Sequence, residues 1–297
     1  MRTVRLVAAP TSAGAYAPGQ EDGPRALLDA GLVQRLETAG VAVNRGKEVS
    51  RFRWRPDPHS PRAANIAAVI DRAGQVAALV RSAPPEETIL VLGGDCTVGV
   101  ATVAGLQQRF ERLGLIYVDR HADLNVPDST ADGALDWMGV AHMLDIGGTV
   151  SGLAALAGDR PMLSSGQISF LGLGPHTDFE AEVIAGRRLP VVDVMTMASD
   201  PLRSAQAALS PLAACDGLAV HFDVDLVDFL DAPLAENTDR GIAPSLAACG
   251  EALSELLRET RVRALTVTEF NPHHGSDDGE TTQRLVEVLV NVLSDSE

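Results

Sequence analysis

Aromatic residues are scarce in this chain, at 4% of the composition. Cysteine is scarcer still, with Cys96, Cys215 and Cys249 the only three in 297 residues. Three thiols build no disulfide framework in a chain of this length. They point to a reduced, cytoplasmic setting, where any special cysteine acts through its chemistry. No apolar run approaches the ~18 residues needed to cross a bilayer. The apolar stretch near the start is too short for a secretory core and alternates like a strand. Basic residues are in deficit as well. Lys and Arg number 24 against 40 Asp and Glu, a formal charge of −16. Nucleic acids and anionic membranes both attract clustered Lys and Arg, so neither is expected as a partner. Surplus carboxylate suits divalent cations, although most of it belongs to solvated surface.

What remains is ordinary globular composition, 45% hydrophobic and 22% charged, which disfavours disorder. No repeat, low-complexity block or long linker interrupts it. Short β-branched runs alternate with Ala/Leu-rich stretches. Strands are expected at Val4–Ala8, Thr88–Leu92, Leu115–Asp119, Ile168–Leu173, Val191–Val194, Leu218–Asp223 and Ala264–Thr268. Helices are expected near Pro24–Thr38, Ala63–Arg81, Thr97–Leu113, Pro201–Leu209, Pro244–Arg258 and Thr281–Leu293. Pro24, Pro201 and Pro244 stand where a first helical turn accepts proline. Unbroken alternation predicts an α/β fold in one domain over residues 1–297, a parallel sheet covered by helices on both faces. Frequent Ala and Gly suit close packing of helix on sheet. Arg51–Pro61 and Asp228–Ile242 read as long surface loops, a length often used for lids.

Ligands of open α/β sheets bind beyond the carboxyl ends of the strands. Four such ends carry polar blocks: Gly93-Gly94-Asp95-Cys96, Asp119-Arg120-His121-Ala122-Asp123-Leu124-Asn125, Asp223-Val224-Asp225, and Glu269-Phe270-Asn271-Pro272. Asp119, His121 and Asp123 alternate, so an extended backbone puts them on one face; Asp223 and Asp225 do the same. Either Asp group alone reads equally well as turn or cap residues. Together they would repel one another unless cations neutralise them, and four Asp charges match two divalent ions. Oxygen-rich ligation with one His suits Mn2+ or a similar hard ion. A pair of such ions lowers the pKa of a shared water.

These four blocks, in this order, resemble the signature blocks of the ureohydrolase (arginase/agmatinase) family. The resemblance implies a three-layer α/β/α domain with a central parallel sheet and a binuclear manganese site that hydrolyses guanidino or amidino groups. It implies that Asp119 and Asp223 bridge two Mn2+ ions, that Asp123 completes one shell, and that His121 and Asp225 complete the other. Asp123 is then the group that hydrogen-bonds the nucleophile. Glu269 would meet the guanidinium, a planar cation that pairs well with a carboxylate, and Asn125 would help hold the substrate's carboxylate end. Trimers or hexamers are common in the family, so a homo-oligomer is compatible.

Two departures stand out. The family places a metal-ligating His where this chain has Cys96. A thiolate there adds a negative charge that a neutral imidazole would not. It weakens the cluster as a Lewis acid and admits Zn2+ or Fe2+ beside Mn2+. The family also carries a proton-shuttling His where this chain has Asp136, expected to be ionised at neutral pH and so a poor donor. Both changes resemble the branch that hydrolyses N-omega-hydroxy-L-arginine to hydroxyurea and ornithine, known from D-cycloserine biosynthesis. Arginase, agmatinase and guanidino-acid hydrolase activities stand as alternatives, as does an inactive binding homologue. Asp136 and, in the loop after a strand, His176 and Asp178 are candidate contacts for the rest of a small guanidino substrate. In the loop after Asp225, Glu236-Asn237 and Asp239-Arg240 replace the family's small-residue pattern. His221 reads as either a strand histidine or a neighbour of the metal ligands. His142 reads as packed or capping, and His273-His274 as solvated.

Overall fold

The computed structural model describes residues 2–236 and 243–294. Among them, eight strands form one sheet: β1 (Thr3–Ala8), β2 (Ala42–Arg45), β3 (Thr88–Leu92), β4 (Leu113–Val118), β5 (Ile168–Leu173), β6 (Val191–Asp193), β7 (Gly217–Asp223) and β8 (Val262–Thr268). Their order is β2-β1-β3-β8-β7-β4-β5-β6, and every pairing is parallel. The four strands that carry the polar blocks are therefore the contiguous centre of the sheet: β3, β8, β7 and β4.

Period-two alternation sends neighbouring side chains to opposite faces. Leu90, Leu92, Ile116, Val118, Val220 and Phe222 enter one core, shared with helices Pro201–Leu209, Leu246–Arg258 and Glu280–Ser294. Ile89, Val91, Leu115 and Tyr117 enter the other, with helices Ile66–Arg81 and Thr97–Gln107. Helices on both faces make the three layers. The Thr97–Gln107 helix is buried from Thr97 through Leu106, as its nearly uniform apolar sequence requires.

Some boundaries differ from expectation. The helix expected over Pro24–Thr38 is two, Gly23–Asp29 and Leu32–Thr38, divided where Gly31 takes φ +86°, a conformation open to glycine. The helix after Cys96 ends at Gln107, not Leu113, because Leu113 already opens β4. Pro244 lies ahead of the helix that Ser245 caps through the Ala248 N–H. Arg51–Pro61 has no helix or strand, and Arg51 and Arg53 tie it to the buried Glu21. No helix among the described residues is long and apolar enough to cross a membrane.

Candidate metal centre and active site

The register of the central strands builds the site. Val118 of β4 pairs with Phe222 of β7, and Asp223 of β7 pairs with Thr268 of β8. Asp119, Asp223 and Glu269 consequently leave adjacent strand ends side by side, with Cys96 arriving from the β3 end. Two sets of donor atoms converge there. One is Cys96, Asp119, His221 and Asp223, and the other is Asp119, His121 and Asp225, each with all its atoms within 4.8 Å. Asp119 belongs to both.

The local contacts are specific. Cys96 Sγ lies 2.9 Å from Asp223 Oδ2, and the Cys96 backbone N–H donates to Glu269 Oε1 at 2.8 Å. His121 Nδ1 lies 3.0 Å from Asp225 Oδ2 and 3.7 Å from Asp119 Oδ1. The Asp225 N–H donates to Asp223 Oδ1 at 2.8 Å. Asp95 is fully buried and accepts the Gly14 and Thr97 N–H groups, both at 3.0 Å, so the Gly-Gly-Asp block clasps the N-terminal loop rather than entering the cluster.

The cluster forms the floor of a cavity of about 370 Å³ lined by Tyr16, Asp123, Asp136, Trp137, Glu236 and Glu269 among others. No Lys or Arg is among the described residues that line it. Burial, then the neighbouring carboxylates, push Asp119, Asp223 and Glu269 well above the usual carboxylate range. Burial pulls His121 down, but Asp225 and Asp119 override it and raise it to about 10. Burial, then Asp223, raises the Cys96 thiol. One oxygen, Asp119 Oδ2, is buried with no hydrogen-bond partner. So much buried carboxylate with an unsatisfied oxygen at its centre calls for cations that side chains do not supply. The O, N and S donors present fit divalent cations, and Asp119 belongs to both donor sets.

The arginase family profile matches residues 2–294. The chain belongs to the arginase family. The arginase of Bacillus subtilis (strain 168) is 27% identical, over 97% of this chain and 98% of that protein. The arginase of Eremothecium gossypii is 31% identical, over 92% of this chain and 70% of that protein. The crystal structure of arginase from Bacillus subtilis superposes with a TM-score of 0.87 at 24% identity, covering 98% of both chains. This arginase-family protein is accordingly an amidinohydrolase, and its fold is that of the family.

Not every residue singled out in the sequence of this amidinohydrolase meets the others. Asp123 lines the cavity but falls outside both converging sets, and its Oδ2 accepts the Tyr117 hydroxyl. Asp136 is buried in the same wall, and burial, followed by Glu269 and Asp95, holds its pKa well above the usual range. Against the expectation of a freely ionised Asp136, burial disfavours its charged form and biases the carboxyl toward its neutral state. Asn125 and His176 line an adjoining cavity with Thr177 and Glu180. There Asn125 Oδ1 accepts the Ser129 hydroxyl at 3.0 Å, and His176 sits exposed beside Gly174 O. Asp178 is exposed at the start of the Asp178–Arg187 helix and lines neither cavity.

His142 is packed, with Nδ1 2.7 Å from Met138 O and Nε2 accepting the Val150 N–H at 3.0 Å. His274 is not simply solvated: its Nε2 lies 2.8 Å from Glu236 Oε2. Asn237, Asp239 and Arg240 lie outside the described residues. Sequence reasoning passed over three contributors. Glu180 accepts the Leu124 and Thr177 N–H groups and so ties the His176 loop to the metal block; the Thr177-x-x-Glu180 capping box was its signal. Tyr16 and Trp137 stack at 5.9 Å to wall the cavity, and the Trp137 and His121 rings meet at right angles at 5.6 Å; nothing local in the sequence announces that pair.

Proposed function

We propose that this protein hydrolyses the C–N bond of a small guanidino substrate. N-omega-hydroxy-L-arginine, yielding hydroxyurea and L-ornithine, is the substrate that its donor set suits best. The observation that carries the reaction class is the convergence of Cys96, Asp119, His121, Asp223 and Asp225 beneath one acidic cavity. These residues would hold divalent ions, which would supply a water of lowered pKa. Mn2+ suits the oxygen-rich side, and the Cys96 sulfur admits Zn2+ or Fe2+.

The remaining work falls to the chain itself. Glu269, anchored by the Cys96 N–H and by the Gln20 amide at 3.2 Å, presents its carboxylate to the planar cation. Asp123, fixed by Tyr117, accepts a hydrogen bond from the attacking water. Asp136, a carboxyl in the cavity wall whose charged form burial disfavours, is the group placed to hand a proton to the departing amine. Trp137 and Tyr16 narrow the entrance and exclude bulk water.

The N-hydroxy preference rests on Cys96. A thiolate donor leaves the cluster more negative than an imidazole would, and a less basic guanidine asks less of a weaker Lewis acid. Asn125 and His176 offer polar contacts to an amino-acid tail. One observation favours a second reading, an amine-tailed guanidine such as agmatine: Asp132 and Glu236 add to an acidic lining without Lys or Arg among its described residues. Purified metal-loaded protein assayed for urea and hydroxyurea on N-omega-hydroxy-L-arginine, L-arginine, agmatine and 4-guanidinobutyrate separates these. Fastest release of hydroxyurea is expected. Equal turnover of arginine would reject the N-hydroxy preference, and silence across the panel would reject catalysis on guanidines.

A further inference from the structure

Beneath the donor cluster lies a histidine that the reaction does not use. His221 precedes Asp223 by two residues on β7, so both side chains leave the same face of the sheet. It is 1% exposed. Its Nε2 stands 3.3 Å from Cys96 Sγ and 3.1 Å from Thr268 Oγ1, and Thr268 Oγ1 is itself 3.3 Å from the sulfur. The ring is fixed in plane by Tyr117, stacked at 4.3 Å and 5°. The opposite nitrogen, Nδ1, abuts the Thr97–Gln107 helix at Gly99, where a Cβ would collide with it. Only glycine leaves room for the imidazole there.

Two roles are open to a nitrogen so placed, and the far side of the ring decides between them. A metal-ligating Nε2 must offer its lone pair, which puts the proton on Nδ1, and ligating histidines give that proton to an acceptor. His221 Nδ1 is buried with no partner. An orphaned buried N–H is rarer than an under-satisfied acceptor, so the proton belongs on Nε2, facing the sulfur. We propose that His221, with Thr268, is a positioning residue that donates hydrogen bonds to the Cys96 sulfur and tunes it as a metal ligand without itself binding the ion. This rests on Cys96 being a thiolate ligand. Donors to sulfur withdraw part of the charge that Cys96 brings in excess of an imidazole. They also fix the direction of the Cβ–Sγ bond between Asp223 and Thr268.

The test is the absorption spectrum and metal content of the Co2+-loaded protein. A sulfur-to-cobalt charge-transfer band in the wild type that vanishes in Cys96→Ser establishes the ligation; its absence from the wild type would overturn that reading alone. His221→Phe keeps a ring against Tyr117 but removes the donor. It should retain two metal equivalents, move the band to longer wavelength, and weaken Mn2+ binding about tenfold. His221→Gln, which restores an N–H, should return the band toward its original position. Thr268→Val removes the other donor and should shift the band in the same direction, which covers the case of a His221 variant that does not fold. Loss of one metal equivalent in His221→Phe would make His221 a ligand and overturn the proposal. So would a band left in place by both His221→Phe and Thr268→Val.

Discussion

Stripped of metal, the protein should lose stability as the pH rises through the weakly acidic range, and Asp123 should account for a measurable share. Burial raises the Asp123 pKa to about 7 from 3.8, against the opposing pull of the Tyr117 hydroxyl and His121. The folded chain therefore binds this proton more tightly than the unfolded chain. Its contribution is complete below the unfolded value, falls as pH climbs between the two values, and is flat above the upper one. At roughly 1.4 kcal/mol per unit, the loss is on the order of 4 kcal/mol. Asp123→Asn keeps an acceptor for Tyr117 but does not titrate. Urea unfolding of both proteins in EDTA, at pH about 4.5, 6 and 7.5, reads the difference. The stability of wild type relative to variant should decline by about 3 kcal/mol across that range, the rest of the full difference lying below pH about 4.5. Saturating Mn2+, which holds the site's carboxylates ionised, should flatten the decline. A gap between the two metal-free proteins that stays constant with pH would refute the reasoning.

Other consequences can be measured independently. Glu269→Gln keeps an acceptor for the Cys96 N–H, exchanges the acceptor facing the Gln20 amide for a donor, and removes the charge facing a guanidinium, so kcat/KM should fall about 10²–10³-fold with metal content unchanged. Asp136→Asn should lower kcat about 10²-fold and erase the alkaline limb of its pH profile, since an amide has no acidic proton to give the leaving amine. Gly94→Ala would drive a Cβ into the Thr11 carbonyl oxygen; thermal unfolding should show a loss of about 3 kcal/mol, with metal binding impaired through the displaced Cys96.

Much of the sheet was legible because strand length and flanking turns coincide with burial. Thr88–Leu92 and Ile168–Leu173 match to the residue, since β-branched and apolar runs end abruptly at Gly93 and Gly174. Ala42–Arg45 escaped notice because an edge strand of four half-exposed or exposed residues needs no apolar alternation. The carboxylates of the site could be named from spacing alone, since period two on neighbouring parallel strands leaves them little choice of face. Their protonation could not. Asp136 changes character through desolvation by segments distant in sequence, which spacing does not encode. Nor does spacing say that Asp123 turns to Tyr117, or that His221 turns to Cys96. The second depends on how helix Thr97–Gln107 closes over β7, and Gly99 is the residue that permits it.

Asp123 and Glu269 share one further property: both have left-handed backbones, at φ 49° and 64°. For Asp this is tolerable; for Glu it is unusual, and such positions cost about 1–3 kcal/mol. The two acids proposed to meet the water and the guanidinium thus stand on ground that glycine or asparagine would occupy more comfortably. A directed-evolution library ranked by heat tolerance alone would enrich Glu269→Gly and Asp123→Asn clones, so gains in robustness would arrive as losses in turnover. Any campaign to harden this scaffold needs a catalytic screen run alongside the thermal one.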